Sequence, residues 1–300
     1  MTPIQAWLNA FRLRTLPLAF SSILLGSFLA LRDGNFSFII LIWSLLTTLF
    51  LQVLSNLAND YGDFVKGTDN NDRVGPARTL QAGLIQPKAM KLALVLFTVF
   101  SLFSGISLLY VAGAFSDLRI FWFFLGTGLF CILAAITYTI GSNAYGYKGL
   151  GDISVLIFFG LVGVLGTHFL MTKQFLVINI LPALSCGLLA VGVLNLNNLR
   201  DIENDRASNK RSIPVMLGFE KSKIYHYLLI VLSVVLHTIF VFTTYVKYPQ
   251  FLSLISIFLC TIHIMKVKNT LVNKELDSFL KHLALISLIT SFLYGLGLIL

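Results

Sequence analysis

Charge is what this sequence has least of. Of its 300 residues only 12% are Asp, Glu, Lys or Arg, while 57% are hydrophobic. A water-soluble domain carries about a quarter charged residues, so a soluble globule is excluded. A mean hydropathy of +0.85 points to lipid as the solvent. Cysteine is also rare. Cys131, Cys186 and Cys260 each lie in an apolar run, at spacings that fit neither a disulfide framework nor a metal knuckle. The five histidines are scattered, with no carboxylate or Cys at ligand spacing. No P-loop or dinucleotide glycine pattern occurs, which removes support for nucleotide use. No cleavable signal pattern is expected either. The opening MTPIQAWLNAFRLRTLP is short and amphipathic, suits an interfacial anchor, and runs directly into an apolar stretch.

Long apolar runs are what the chain does have. A spanning helix needs about 20 apolar residues. Such runs fall near 15–31, 37–58, 89–112, 119–140, 153–172, 176–197, 225–246, 249–266 and 279–300. The fold class is therefore all-α: a polytopic membrane protein of about nine transmembrane helices in a lipid bilayer. The runs leave no room for a separate soluble domain, so residues 1–300 read as one integral membrane domain.

The basic residues divide between the two ends of these runs. Eighteen Lys and Arg fall on one side, and only Arg32, Arg119, Lys173 and Lys247 on the other. Cytoplasmic retention of Lys and Arg places the N-terminus and the richer side in the cytoplasm. It also accounts for the net charge of +9 with no nucleic-acid partner.

The few acids are not spread evenly. Eleven of thirteen lie on the basic side, most of them in two groups. The first is NLANDYGDFVKGTDNNDRVGPAR, from Asn56 to Arg78; the second is NLNNLRDIENDR, from Asn195 to Arg206. Asn59-x-x-x-Asp63 matches Asn197-x-x-x-Asp201, and the two follow the second and sixth runs. An offset of four helices preserves orientation, so the chain reads as two tandem four-helix repeats plus a ninth helix, with a site between the halves. Spacing by four puts Asn59 and Asp63 on one face, and Asn197, Asp201 and Asp205 on a two-turn stripe. Gly67 is expected to end the first helix and let Asp69 return from the loop.

Four carboxylates so gathered cannot stand bare. At about 6 Å and an effective dielectric of about 20, each pair repels by roughly 3 kcal/mol, on the order of 15 kcal/mol for six pairs. Either some protonate or cations compensate. Carboxylate and amide oxygens suit Mg2+, which is commonly completed by phosphate oxygens. Neighbouring Arg and Lys then complete the usual composition of a diphosphate site.

With these motifs the chain resembles the intramembrane aromatic prenyltransferases of the UbiA superfamily, in its 1,4-dihydroxy-2-naphthoate branch. The resemblance rests on NDYGDFVKGTDNNDRVGPARTLQAG, YTIGSNAYGYKGLGDISVLIFFG and NNLRDIENDRASNKRSIPVMLG, with WLNAFRLRTLP as a weaker fourth block. It implies transfer of a polyprenyl group from polyprenyl diphosphate to 1,4-dihydroxy-2-naphthoate, with loss of CO2 and diphosphate, giving a demethylmenaquinol. It implies Mg2+ held by Asn59, Asp63, Asp69, Asn197, Asp201 and Asp205, with Asp63, Asp201 and Lys148 as catalytic residues. Arg78 and Lys148 would hold diphosphate, and Asn198, Arg200 and Arg206 would stand beside it. Tyr145, Tyr147 and Asp152 would lie near the acceptor. The six-residue step from Asp63 to Asp69 departs from the four-residue step of many members. Two other readings stay open: the same chemistry on another acceptor, such as 4-hydroxybenzoate, homogentisate or haem, and a cation-coupled transporter.

Overall fold

The computed structural model describes residues 2–68, 74–75, 78–271 and 273–300. Among them nine helices are long and apolar enough to cross a membrane: α1 (Pro3–Arg32), α2 (Phe38–Val65), α3 (Pro87–Val111), α4 (Leu118–Thr137), α5 (Gly151–Thr172), α6 (Val177–Arg200), α7 (Phe219–Thr243), α8 (Tyr248–Asn269) and α9 (Asn273–Ile299). The expected all-α, nine-span bundle is present, and the chain is a multi-pass membrane protein.

Several helices run past their apolar runs. α2 continues to Val65 and α6 to Arg200, while α7 starts at Phe219 and α9 at Asn273. Hydropathy reports only the lipid-facing part of a helix; these polar extensions project beyond it and carry the acidic motifs. α1 is broken at Arg12, whose backbone is left-handed at φ 49°. An amphipathic piece, Pro3–Phe11, precedes the break, begun by a capping box between Thr2 and Gln5.

α6 forms the centre, packed against α5, α7 and α9, whereas α4 is mostly lipid-facing. Small residues make this possible. A Cβ on Gly160 of α5 would lie 2.7 Å from the Ala183 carbonyl oxygen of α6, and one on Gly187 would lie 3.1 Å from Gly160 Cα. The two backbones therefore touch, as small residues allow in membranes. Over Leu156–Gly166, α5 takes the wider π-helical form. Polar pairs join other spans: Ser21 with Ser287 at 2.9 Å, Ser185 with Ser233 at 2.9 Å, and His226 with His263 at 3.0 Å. These histidines thus have structural partners that sequence spacing could not show.

Candidate active site

Both acidic motifs end at the same place. Asn59 and Asp63 come from the last turns of α2, and Asn197 and Asp201 from the end of α6. Together with Asp205 they line one small polar pocket, with a cavity volume of about 40 Å3.

The end of α2 is closed by Gly67, left-handed at φ 71°, which lets the Thr68 N–H return to the Asp63 carbonyl at 2.9 Å. Thr68 is thereby brought under the carboxylate. Tyr147 donates its hydroxyl hydrogen to Asp63 Oδ1 at 2.7 Å. Its oxygen is then free to accept from Thr68 Oγ1 at 2.6 Å. Asn204 Nδ2 donates to the Thr68 carbonyl at 2.8 Å, tying the second motif to the first. Asp69 and Asp72 lie outside the described residues.

The second motif is not one straight two-turn stripe. α6 stops at Arg200, Asp201 turns the corner at φ −99°, ψ 18°, and a separate short helix covers Ile202–Ala207. The four-residue register survives, since the Asp205 N–H still bonds to the Asp201 carbonyl at 2.9 Å. Asp201 is held from behind by Arg200, at 2.6 and 3.1 Å, and from the front by the Gly75 N–H at 3.1 Å.

Cations resolve the crowding of carboxylates. Asp60 is buried and pairs with Arg12 and with Arg78, the latter at 3.3 Å. Lys210 lies between the motifs, its Nζ 3.5 Å from Asp205 and 4.0 Å from Asp63. Burial disfavours the Lys210 ammonium, but the two carboxylates outweigh it and raise its pKa. Burial likewise lifts the Asp205 carboxyl, to about 6, against the opposing pull of Lys210. Burial and then Asp63 raise the Tyr147 phenol, keeping it a donor.

The oxygen atoms present fit a hard divalent cation. Asp63, Asp201 and Asp205 supply carboxylates; Asn59, Asn197 and Asn198 supply amides at the same wall. Asn204 Oδ1 is buried and accepts no hydrogen bond among the described residues, an uncompensated acceptor of the kind a cation satisfies. Among the described residues no three His, Cys, Asp or Glu side chains form a metal cage by themselves. Such a donor set suits Mg2+, which is usually completed by waters and phosphate.

A second cavity, of about 390 Å3, runs from this pocket into the membrane. Arg12, Asn59, Tyr138, Leu194 and Asn197 line both, so the two spaces meet there. Its walls come from α1 to α6, with Leu280 of α9, and are largely apolar. A diphosphate head in the first space can thus continue as a hydrocarbon tail in the second.

The remaining expected site residues are placed as follows. Arg78 and Asn198 line the polar pocket. Tyr145 lines the apolar cavity, donating to the Ala134 carbonyl at 3.0 Å. Arg200 lies behind Asp201, reaching Asn197 and Asp277 as well. Arg206 is exposed, paired with Glu203 at 2.9 Å. Asp152 is capped by the Tyr225 hydroxyl at 2.8 Å and lines neither space. Lys148 is not brought to the pocket: the turn Tyr145–Lys148 ends at left-handed Gly149, and the exposed ammonium bonds Asn143 at 3.0 Å. Arg12, Thr68, Tyr138 and Asn204 line the pocket without having been singled out from sequence, and Lys210 was one of eight neighbouring cations the sequence did not tell apart. Asn204 could have been found as the polar neighbour of Asp205.

A family model, that of the UbiA prenyltransferase family, matches residues 19–294. A 1,4-dihydroxy-2-naphthoate octaprenyltransferase of Haemophilus influenzae is 42% identical over 298 residues, covering 99% of this chain and 96% of the relative. The enzyme of the same description from Escherichia coli is 48% identical over 236 residues, covering 79% of this chain and 76% of the relative. The fold matches the structure of a UbiA homolog from Archaeoglobus fulgidus bound to GPP and Mg2+, at a TM-score of 0.65 and 18% identity, covering 98% of this chain and 99% of the other. With the motifs assembled as described and the match spanning nearly its whole length, the chain belongs to the UbiA prenyltransferase family.

Proposed function

We infer that this chain transfers a polyprenyl group from polyprenyl diphosphate to 1,4-dihydroxy-2-naphthoate, releasing CO2 and diphosphate and giving a demethylmenaquinol, a step of menaquinone biosynthesis. The observation that carries this is the joining of a polar pocket, built from both motifs, to an apolar cavity through shared walls at Asn59 and Asn197. The relatives from Haemophilus influenzae and Escherichia coli supply the acceptor.

Asp63, Asp201 and Asp205 would hold Mg2+, with amide oxygens of Asn59, Asn197 and Asn204 beside them. Bound there, the metal supplies Lewis-acid stabilisation of the diphosphate leaving group. Arg12, Arg78 and Lys210 place fixed positive charge around the same head. The C1–O bond breaks with its electron pair going to diphosphate. An aromatic ring carbon then attacks the allylic cation, and the carboxylate leaves as CO2, returning its electrons to the ring. The apolar walls keep water from the cation.

We assign the lysine at the diphosphate to Lys210 and leave Lys148 at the surface. The clusters lie at one end of the bundle rather than at mid-membrane, which speaks against a cation-coupled transporter. The distribution of Lys and Arg supports an N-terminus and active site on the cytoplasmic side of the inner membrane. A reporter fused after Leu300 should then read outside; a cytoplasmic signal reverses the assignment.

The test is an acceptor panel with mass detection of product, using purified protein, Mg2+ and polyprenyl diphosphate. Dihydroxynaphthoate should be prenylated and decarboxylated. Turnover of 4-hydroxybenzoate or homogentisate instead overturns the reading. In the same assay Lys148→Ala should stay within about threefold of wild type, while Lys210→Met should fall by about a hundredfold.

A further inference from the structure

The two walls of the large cavity differ in chemistry. The α2 wall carries Ser44, Thr48, Gln52, Ser55, Asn56 and Asn59 at three- and four-residue steps, a polar stripe about 22 Å long. The lining from α5 and α6 includes Phe158, Phe159, Val162, Val193 and Leu194, with fewer polar residues. A hydrocarbon tail can use only the apolar wall. In the membrane a polar side chain is costly unless it has a partner. Hydroxyls find one on their own helix, as Thr47 does on the Trp43 carbonyl at 2.8 Å. Gln52 does not.

The neighbours of Gln52 fix which way its amide points. Because α1 breaks at Arg12, the carbonyls of Phe11 and Arg12 are available to side chains. Thr15 Oγ1 donates to the Arg12 carbonyl at 2.9 Å, so toward Gln52 it can only accept. Asn56 Nδ2 donates to the Phe11 carbonyl at 2.9 Å, which turns its Oδ1 toward Gln52. Gln52 Nε2 meets these two acceptors at 3.2 and 3.5 Å. Its Oε1 therefore points away from them, on a residue lining the cavity, and accepts no hydrogen bond from the described residues.

We propose that Gln52 binds the aromatic acceptor, its Oε1 accepting a hydrogen bond from a ring hydroxyl. The proposal rests on the proposed function for the identity of the acceptor. Of the two hydroxyls of 1,4-dihydroxy-2-naphthoate, the one beside the carboxylate is bonded internally. The 4-hydroxyl is left to donate. The polar wall holds the acceptor while the apolar wall holds the tail, so both substrates occupy one cavity without competing for the same surface.

The experiment compares full-length wild type and Gln52→Leu, with Gln52→Met as a second variant should the first not be recovered folded. KM is measured for each substrate. 1-Hydroxy-2-naphthoate, which lacks the 4-hydroxyl, serves as a competitive inhibitor. The variant should raise the KM for dihydroxynaphthoate about tenfold, the worth of one hydrogen bond. The KM for polyprenyl diphosphate should stay within twofold, and the inhibitor should bind both proteins alike. A merely structural Gln52 would weaken the inhibitor and the acceptor equally, and that result overturns the proposal. So does an unchanged acceptor KM. A wild-type protein that does not turn over dihydroxynaphthoate at all overturns the proposed function itself, which the same series shows separately.

Discussion

Asp63→Asn and Asp201→Asn should each lower prenyl transfer about a thousandfold, with the protein still inserted and folded. The substitution keeps side-chain volume and removes one negative charge. At Asp63 the Tyr147 hydroxyl, 2.7 Å away, can still donate to an amide oxygen. At Asp201 the Gly75 N–H and Arg200 can do the same. What is lost is charge on a proposed metal ligand, so affinity for the divalent ion should fall before stability does. The measurement is the single-turnover rate across an Mg2+ titration, beside the melting temperature. A rate within tenfold of wild type at saturating Mg2+ in either variant would move the metal elsewhere.

The second large effect concerns stability. Arg200 is 1% exposed and joins Asp201 on its own helix end to Asp277 on α9. Removing one member of a buried ion pair costs about 3–5 kcal/mol, because the other charge is left uncompensated. Arg200→Met should therefore lower the melting temperature of the solubilised protein sharply and loosen Asp201 as well. Arg206→Met is the control. Its guanidinium is 53% exposed beside Glu203, and an exposed pair contributes little. Equal melting curves for the two variants would mean that Arg200 is not holding the second motif. The sequence places the two arginines alike, six residues apart beside the same motif; only burial separates their roles.

That contrast shows where sequence reading reaches and where it stops. Spans follow from hydropathy because lipid imposes one requirement on every residue facing it. The two motifs were legible because helical spacing by four is local and because the pattern occurs twice. Gly67 was legible as a helix end because only a few residue types accept a left-handed backbone easily. Other partnerships join residues far apart in sequence. Arg12 reaches Asp60 across 48 residues, and Tyr147 reaches Asp63 across 84. Nothing in local pattern marks such pairs, so Arg12 read as a topological cation and Tyr147 as an acceptor-side residue.

Lys148 illustrates the opposite case. Its closeness in sequence to Tyr145 and Asp152 suggested a shared task, but the turn Tyr145–Lys148 and the start of α5 point the three residues three ways. Tyr145 faces the apolar cavity, Asp152 meets Tyr225 on α7, and Lys148 faces out toward Asn143. The polar stripe on α2 was legible in principle, since its hydroxyl and amide residues recur at helical spacing inside an apolar run. Its meaning needed the cavity, because Ser and Thr in a membrane helix often satisfy themselves on their own backbone, and only a Gln with its amide already committed stands out.

The central claim is that acids from α2 and α6 act as one divalent-ion and diphosphate site. A double-mutant cycle on Asp63→Asn and Asp201→Asn tests it most directly, read as the gain in polyprenyl diphosphate affinity on adding Mg2+. One shared site requires that either variant remove nearly the whole gain and that the double variant lose little more, a strongly non-additive cycle. Independent, additive losses in the two variants would contradict it.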